Sequence, residues 1–327
     1  MNSPVFSIIV PVYNTAQYLE QCFDSITKQS FEDFEVVIID DGSSDGSEII
    51  CDQYCKKDSR FTVFHQNNQG SSSARNQGLA LCKGDLICFI DADDWVEPSF
   101  LYNFYDCIQE NDADVVISAF YYDKDNEEAY FPNKPSKLDG RTVIKESLDR
   151  TLHSGLVFKA IKKELIFNNN LRFPRQNYFE DMFFNCALMH YVQSICYCPV
   201  ATYHYRFNPS SQTNIQDTEK RVSLYSEFCE NMESLFDKYQ MWNEPLFYKA
   251  LYKEVNIQKL RLIKESYGIP ARTAIRRTFK DSANFYPIHT LSDCFNYAAI
   301  KTCRRWPIII LEGLHRIKDF YITAVSK

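Results

Sequence analysis

The chain has 327 residues, of which 45% are hydrophobic and 15% aromatic. Its length exceeds the roughly 150 residues of a typical domain, and its nine glycines exclude a low-complexity or collagen-like chain. The twelve cysteines lack zinc-ribbon or redox spacing, so we expect free thiols in a reducing compartment. The first residues lack the basic and apolar order of a signal peptide, which favours a cytoplasmic protein.

Charge is divided unequally along the chain. The formal net charge is -7, but residues 249–327 contain fifteen Lys or Arg against six Asp or Glu, a net charge of +9. The remaining residues therefore carry -16. A basic end of this kind favours contact with an anionic surface, such as membrane headgroups or nucleic acid. The alternative is a helical cap whose charges only balance those of its own chain.

The first 120 residues alternate short apolar runs with amphipathic stretches of helical length. Because the runs are apolar on both faces, they predict a parallel sheet that helices cover on both sides. The predicted strands cover residues 7–12, 35–40, 61–65 and 86–90, and the predicted helices cover residues 17–29, 47–57 and 72–81.

The pattern becomes less regular later in the chain. We predict a strand over 114–122 and then a polar loop over 123–139, either a flexible lid or an ordinary solvent loop. From about Ser223 the pattern is helical, which predicts a catalytic domain over 1–220 and a basic helical region over 221–327.

Apolar residues recur at three- and four-residue steps after Pro307, beginning with Ile310 and Leu314. This spacing is typical either of a helix that lies in a membrane interface or of a helix packed on the protein's own core. The longest apolar run there is far shorter than the roughly 20 residues that span a bilayer, so no transmembrane helix is expected.

An acidic cluster, Asp91-Ala92-Asp93-Asp94, directly follows a predicted buried strand, at the sheet edge where ligands bind in folds of this kind. Three neighbouring carboxylates repel one another unless a cation or hydrogen-bond donors compensate. Oxygen ligands favour Mg²⁺ or Mn²⁺, which commonly complete their coordination with phosphate oxygens. The alternative, in which Asp94 caps a helix that starts near Pro98, explains Asp94 alone.

Two further strand ends carry polar segments. In Asp40-Asp41-Gly42-Ser43, the glycine permits a tight turn, and one Asp can accept a hydrogen bond from a base or a ribose hydroxyl. The segment 70–78 opens a helix with small residues and places Arg75 one turn in, a position that suits a diphosphate. Neither G-x-G-x-x-G nor a P-loop is present, which disfavours a dinucleotide site.

These segments closely resemble the catalytic domain of the family 2 glycosyltransferases. The resemblance rests on Ser7 to Asn14, Asp40 to Ser43, Ala74 to Gly78 and Asp91 to Asp94, in the family's order. It implies the α/β GT-A fold, a Rossmann-like, mostly parallel sheet with helices on both faces. It also implies an inverting enzyme of bacterial surface-polysaccharide synthesis.

The resemblance further implies the reaction partners. A nucleotide-sugar donor, UDP-linked in our expectation, would react with a hydroxyl of a saccharide or lipid-linked saccharide acceptor, with Mn²⁺ or Mg²⁺ as cofactor. We expect no nucleic-acid partner. A lipid-linked acceptor and the basic end of the chain together favour peripheral contact with the inner face of the plasma membrane.

Family resemblance also assigns residues to the donor site. In the family's base pocket, Asp41 would accept a hydrogen bond from the nucleotide base. Asp91 and Asp93 match the family's D-x-D motif. Asp93 is the expected direct metal ligand. Asp91 is expected nearer the ribose or a bound water and is also assigned to the metal site. The remaining donor-binding positions are Pro11, Val12, Tyr13, Arg75, Ala92 and Arg206.

The expected base is Asp181, with Glu180 beside it, because Tyr178-Phe179-Glu180-Asp181-Met182 matches the family's Glu-Asp pair. A repelling pair in an aromatic setting should raise at least one pKa, as base catalysis near neutral pH requires. Without the resemblance, an acidic pair that the helix dipole stabilises explains these residues equally well.

Three alternatives stay open at this point. In Tyr203-His204-Tyr205-Arg206, either His204 or Arg206 reaches the diphosphate, or both pack beneath the site. A metal-dependent nucleotidyltransferase could use similar carboxylates, although Pro11 to Asn14 lacks its basic, glycine-rich signature. A non-catalytic nucleotide-sugar-binding module would keep the base pocket and lack the catalytic base.

Overall fold

The structure is a computed structural model that describes residues 3–125, 127–175, 179–208 and 217–265. The chain divides into two compact units, Met1–Pro209 and Ser210–Lys327. The apolar pattern after Pro307 lies outside the described residues.

The described part of the first unit contains eleven strands and seven helices. The strands are β1 (Phe6–Val12), β2 (Phe34–Asp40), β3 (Phe61–His65), β4 (Leu86–Phe89), β5 (Trp95–Val96), β6 (Val115–Ser118), β7 (Phe120–Lys124), β8 (Glu127–Phe131), β9 (Lys159–Lys162), β10 (Ile195–Cys198) and β11 (Tyr203–Arg206). The helices are α1 (Ala16–Thr27), α2 (Ser47–Lys57), α3 (Ser71–Leu81), α4 (Phe100–Asn111), α5 (Gly140–Leu148), α6 (Lys163–Asn168) and α7 (Glu180–Tyr191).

Seven strands form the central sheet in the order β10-β6-β9-β4-β1-β2-β3. The predicted parallel pairing is confirmed, because β1 pairs parallel with β2 and β4, and β2 pairs parallel with β3. Strand β9 lies antiparallel between β4 and β6, so the sheet is mixed. Strand β1 is almost wholly buried, as apolar strands between two helical layers should be. The edge strand β3 departs from this pattern, since Phe64 is 41% exposed.

Helix α3 packs closely against β1, and this contact fixes the position of the helix. A Cβ at Gly78 would lie 2.3 Å from a side-chain carbon of Ile9. Only a residue without a side chain therefore permits this approach. The same helix carries Arg75 on its buried face.

A second, four-stranded sheet with the order β5-β11-β7-β8 was not predicted. The predicted strand over 114–122 is two strands, β6 and β7, which belong to different sheets. The predicted polar loop over 123–139 is also wrong in its first half, because β8 pairs antiparallel with β7. All five β8 residues are exposed, so the segment has no buried apolar face from which a strand could be predicted. Backbone pairing with β7 and stacking of Phe120 on Phe131 stabilise the strand instead.

The described part of the second unit is helical, as predicted from about Ser223. It contains α8 (Thr218–Lys238), a short 3₁₀ turn (Met241–Asn243) and α9 (Pro245–Glu265). Buried apolar side chains from both helices form its core, among them Phe228, Met232, Phe236, Leu251 and Val255. In the described ranges, no helix has the length and apolar character needed to cross a membrane.

Candidate active site at the carboxyl ends of the strands

The ends of β1 and β2 are joined by the backbone. The amide of Asp41 donates to the carbonyl of Val12 at 2.8 Å. Tyr13 is 49% exposed beside this junction, whereas the Val12 side chain is buried in the core. Of the predicted donor-binding residues on this segment, Val12 can therefore offer mainly its backbone, whereas Tyr13 offers an accessible ring.

The carboxylate of Asp41 accepts three hydrogen bonds from the protein. The donors are the Gln66 side chain at 2.7 Å, the Gln69 amide at 2.9 Å and the Gly70 amide at 2.7 Å. Asp41 thus holds the loop that leads into α3, where Gly70 has a positive φ of 88°. The preceding carboxylate, Asp40, accepts from the Ser43 amide and lies 2.7 Å from a ring nitrogen of His65. Contact between Asp41 and a nucleotide base stays a prediction.

Arg75 brings four of the predicted site residues together. Its guanidinium lies 2.8 Å from Asp91 through Nη2 and 2.7 Å from Glu180 through Nη1. Asp181 lies 3.8 Å from Nη1. Burial alone would lower the pKa of Arg75, but these carboxylates raise it above its ordinary value. One cation thus faces three carboxylates, and it links the D-x-D motif to the Glu-Asp pair.

Asp93 and Asp94 have different partners. The side chain of Asn208 donates to Asp93 at 2.8 Å. Asp94 is 2% exposed and accepts from the Tyr203 hydroxyl at 2.5 Å and from the Arg206 amide at 2.8 Å. The capping alternative for Asp94 is wrong, because α4 begins at Phe100 and is preceded by Ser99.

Among the described residues, Arg75 and Arg206 compensate the negative charge of the acidic loop only in part. Burial raises the pKa of all three of its carboxyls, and each of the Asp93 and Asp94 charges is further opposed by its acidic neighbours. Arg75 compensates Asp91 in part. Carboxylate oxygens clustered in this way fit a hard divalent cation such as Mg²⁺ or Mn²⁺. That Asp93 and Asp91 hold such a cation stays a prediction.

The Glu-Asp pair occupies the first turn of α7, which begins at Glu180. Burial raises the pKa of Glu180, and Arg75 partly opposes that effect. The Oδ1 atom of Asp181 is buried and has no hydrogen-bond partner among the described residues. The placement agrees with the helix-dipole explanation, and the role of Asp181 as the base stays a prediction.

Arg206 and His204 take separate positions. The Arg206 side chain donates to the backbone carbonyl of Asp93 at 2.8 Å and to Gln21 at 2.5 Å. His204 is 2% exposed and stacks on Trp95 at 3.5 Å. Arg206 therefore supports the D-x-D loop directly, and His204 packs in the second sheet.

Sequence reasoning missed three supporting residues. Tyr203, Asn208 and Gln21 all contact the D-x-D loop or the arginine that supports it. Tyr203 stood in a segment that the family resemblance singled out, but its contact with Asp94 spans 109 positions. No local pattern marks Asn208 or Gln21.

Two solved structures with a similar fold contain a bound nucleotide sugar. TarS of S. aureus in complex with UDP-GlcNAc has a TM-score of 0.64, with 19% sequence identity and 90% of each chain covered. The mannosyltransferase PcManGT from Pyrobaculum calidifontis, in complex with GDP-Man and Mn²⁺, has a TM-score of 0.50, with 16% identity, 94% of this chain and 86% of that chain. The architecture is therefore that of the GT-A glycosyltransferase fold.

Sequence comparison assigns the family. Residues 7–170 match the family described as Glycosyl transferase family 2, and the chain belongs to this family. The putative glycosyltransferase EpsH of Bacillus subtilis is 32% identical over 225 residues, which cover 64% of this chain and 63% of EpsH. Glycosyltransferase GlyG of Streptococcus pneumoniae is 36% identical over 191 residues, which cover 55% of this chain and 63% of GlyG. The chain thus matches less than two thirds of the length of either relative.

Proposed function

We propose that the protein is an inverting glycosyltransferase that moves a sugar from a UDP-sugar to a hydroxyl of a saccharide or lipid-linked saccharide during polysaccharide synthesis. The observation that carries the proposal is the junction at Arg75, which joins the D-x-D motif to the Glu-Asp pair. This junction supports a site in which a donor-binding motif and a base act together. The relatives EpsH and GlyG, both named as glycosyltransferases, support this class of reaction.

The donor site combines the ends of β1, β2 and β4. Pro11 on β1 and Tyr13 directly after it line the base. Asp41 holds the loop before α3 and presents its remaining acceptor capacity to the base. Ala92 is buried between the two carboxylates of the D-x-D motif, so its backbone fixes their spacing. The UDP-GlcNAc in TarS supports a uridine nucleotide as the donor.

The cofactor in this proposal is Mn²⁺ or Mg²⁺, held by Asp93 with Asp91 nearby. When bound, it supplies positive charge that stabilises the leaving diphosphate. Asn208 and Arg206 orient the Asp93 side chain and backbone. The proximity of several buried carboxyls supports a cation here: burial, and then the charge of Asp91, raise the pKa of the Asp93 carboxyl.

Asp181 acts as the base. The Asp181 carboxylate takes the proton of the acceptor hydroxyl while the hydroxyl oxygen forms a bond to the anomeric carbon. The bond from this carbon to the phosphate oxygen breaks, and its electron pair leaves with the nucleoside diphosphate. Attack from the face opposite the leaving group inverts the anomeric configuration. Arg75, held by Glu180, keeps Asp181 next to the donor-binding loop.

A membrane-held acceptor is the finer part of the proposal. Residues 249–327 carry a net charge of +9, which favours the anionic surface on which a lipid-linked saccharide resides. The Arg304→Glu and Arg305→Glu double variant should lose binding to vesicles that contain an anionic lipid and keep donor hydrolysis. Unchanged vesicle binding would refute peripheral association.

A donor screen tests the proposed function. The purified chain is incubated with UDP- and GDP-sugars in the presence of Mn²⁺, and release of the nucleoside diphosphate is measured. We expect release from at least one UDP-sugar, and its loss on removal of the metal with a chelator. In a parallel incubation with a nucleoside triphosphate and a sugar phosphate, release of pyrophosphate would instead indicate a nucleotidyltransferase. Binding without any release would indicate a non-catalytic module.

A further inference from the structure

A buried histidine lies among carboxylates in the second sheet, outside the site described above. The ring of His204 stacks on Trp95 at 3.5 Å and lies 4.9 Å from Tyr121, also in a stacked arrangement. The residue is 2% exposed. Tyr203 and His204 are neighbours on a strand, so their side chains point to opposite faces, Tyr203 towards Asp94 and His204 away from it.

Three carboxylates surround this imidazole. Nε2 lies 3.2 Å from Glu97, whereas Nδ1 lies 3.2 Å from Asp123 and 3.6 Å from Glu128. One oxygen of Asp123, one oxygen of Glu128 and one ring nitrogen of His204 all lie within 4.8 Å of one another. Side-chain atoms from two strands of a hairpin and from a third strand therefore converge on one point.

The charges at this point do not balance within the cluster. Even a fully protonated imidazole would leave three carboxylates and one positive charge, a net charge of -2. Asp123 and Glu128 are also direct cross-strand partners of the β7–β8 hairpin. Like charges at directly opposed positions destabilise a hairpin unless something attracts both.

We propose that Asp123, Glu128 and His204 bind a divalent transition-metal ion of the Zn²⁺ type. Nδ1 of His204 and one oxygen from each carboxylate are the ligands. Glu97 accepts the hydrogen bond from Nε2–H, which fixes the tautomer that leaves Nδ1 free to bind, as carboxylates commonly do for metal-binding histidines. The imidazole nitrogen gives this site a different metal preference from the D-x-D motif, whose ligands are all oxygens and suit Mg²⁺ or Mn²⁺.

An ion here would link the strands of the second sheet. Asp123 lies on β7, Glu128 on β8 and His204 on β11. Strand β11 also carries Tyr203 and Arg206, which hold Asp94 and the backbone of Asp93. The role of the metal is therefore to stabilise the sheet that supports the D-x-D loop, and no reacting atom touches it.

Calorimetric titration with Zn²⁺ alone, without nucleotide, tests the proposal on the full chain after treatment with a chelator. The titration uses the Asp93→Asn background, so that ions bound at the D-x-D motif do not contribute. We expect one binding event, weakened at least about tenfold by His204→Gln and by Glu128→Gln. Glu127→Gln, the neighbouring exposed carboxylate, is the matched control and should bind as the background does.

A second readout separates metal binding from misfolding. Co²⁺ bound to imidazole and carboxylates absorbs visible light, and this absorption should appear with the background protein and disappear with Glu128→Gln. Glu128 is an exposed strand residue, so its substitution should leave the chain folded even if His204→Gln does not. No heat of Zn²⁺ binding in the background, or equal affinity of background and Glu128→Gln, would overturn the proposal.

Discussion

A 2.7 Å ion pair joins Arg75 to Glu180 across 105 positions of the sequence. The same guanidinium holds Asp91 at 2.8 Å, so the donor loop and the start of α7 share one cation. Family resemblance predicted that Arg75 contacts the donor. In the structure its guanidinium is buried and engaged by protein carboxylates, and contact with the donor stays a prediction.

Loss of Arg75 should destabilise the fold. Arg75→Met leaves three buried or half-buried carboxylates without their cation, which should lower the free energy of unfolding by about 3–5 kcal/mol. Urea denaturation measures this change. The control is Lys57→Met, because the ion pair of Lys57 with Asp24 is exposed on both sides and should contribute about 1 kcal/mol or less. Equal losses in the two variants would contradict the account of Arg75.

Asp181→Asn should stop transfer and leave donor binding intact. An amide cannot take the acceptor proton, so we expect kcat to fall by about 10²- to 10⁴-fold. UDP affinity in the presence of Mn²⁺, measured by calorimetry, should change little. Asp112→Asn, at an exposed carboxylate that pairs with Lys162, should leave both quantities unchanged. A variant that transfers sugar at the wild-type rate would exclude Asp181 as the base.

The Tyr203 hydroxyl should contribute to stability and to donor use. That group donates to Asp94 at 2.5 Å and accepts from the Asp91 amide at 3.2 Å. Tyr203→Phe leaves both buried groups without this partner, which should cost about 1–3 kcal/mol of stability and lower kcat/KM for the donor. Tyr205→Phe, two residues along the same strand, is the control and should have the smaller effect on both. Indistinguishable variants would argue against support of the D-x-D loop by Tyr203.

Lys159 should give stability a distinctive pH dependence. Burial lowers the pKa of this fully buried amine to about 8 from 10.5, and its Nζ donates to the Gly155 carbonyl at 2.6 Å. The unfolded chain therefore binds the proton more tightly than the folded chain does. Its stability contribution is lowest below about pH 8 and rises until about pH 10.5.

Comparison with Lys159→Met isolates this effect. The free energy of unfolding of the wild type, minus that of the variant, should increase by about 3 kcal/mol over that pH range. Urea denaturation at several pH values gives the difference, in which the titration of other groups cancels. A difference that is flat or falls with pH would show that burial does not lower the pKa of the Lys159 amine.

The parts of the site that the sequence predicted are local. Asp91 to Asp94 could be placed at a sheet edge because the strand before them is apolar throughout and buried. The partner of Asp94 could not be predicted, since Tyr203 lies 109 positions away and the local sequence offered only a helix cap as an alternative to metal binding. Strand β8 was missed for a similar reason: its five exposed residues carry no apolar pattern, and only pairing with β7 defines it.

Calorimetry of UDP binding tests the central claim most directly. The wild type is titrated with and without Mn²⁺, and Asp93→Ala is titrated in parallel. We predict that Mn²⁺ strengthens UDP binding to the wild type at least about tenfold and that Asp93→Ala abolishes this gain. UDP binding of the same strength in all four titrations would contradict the account.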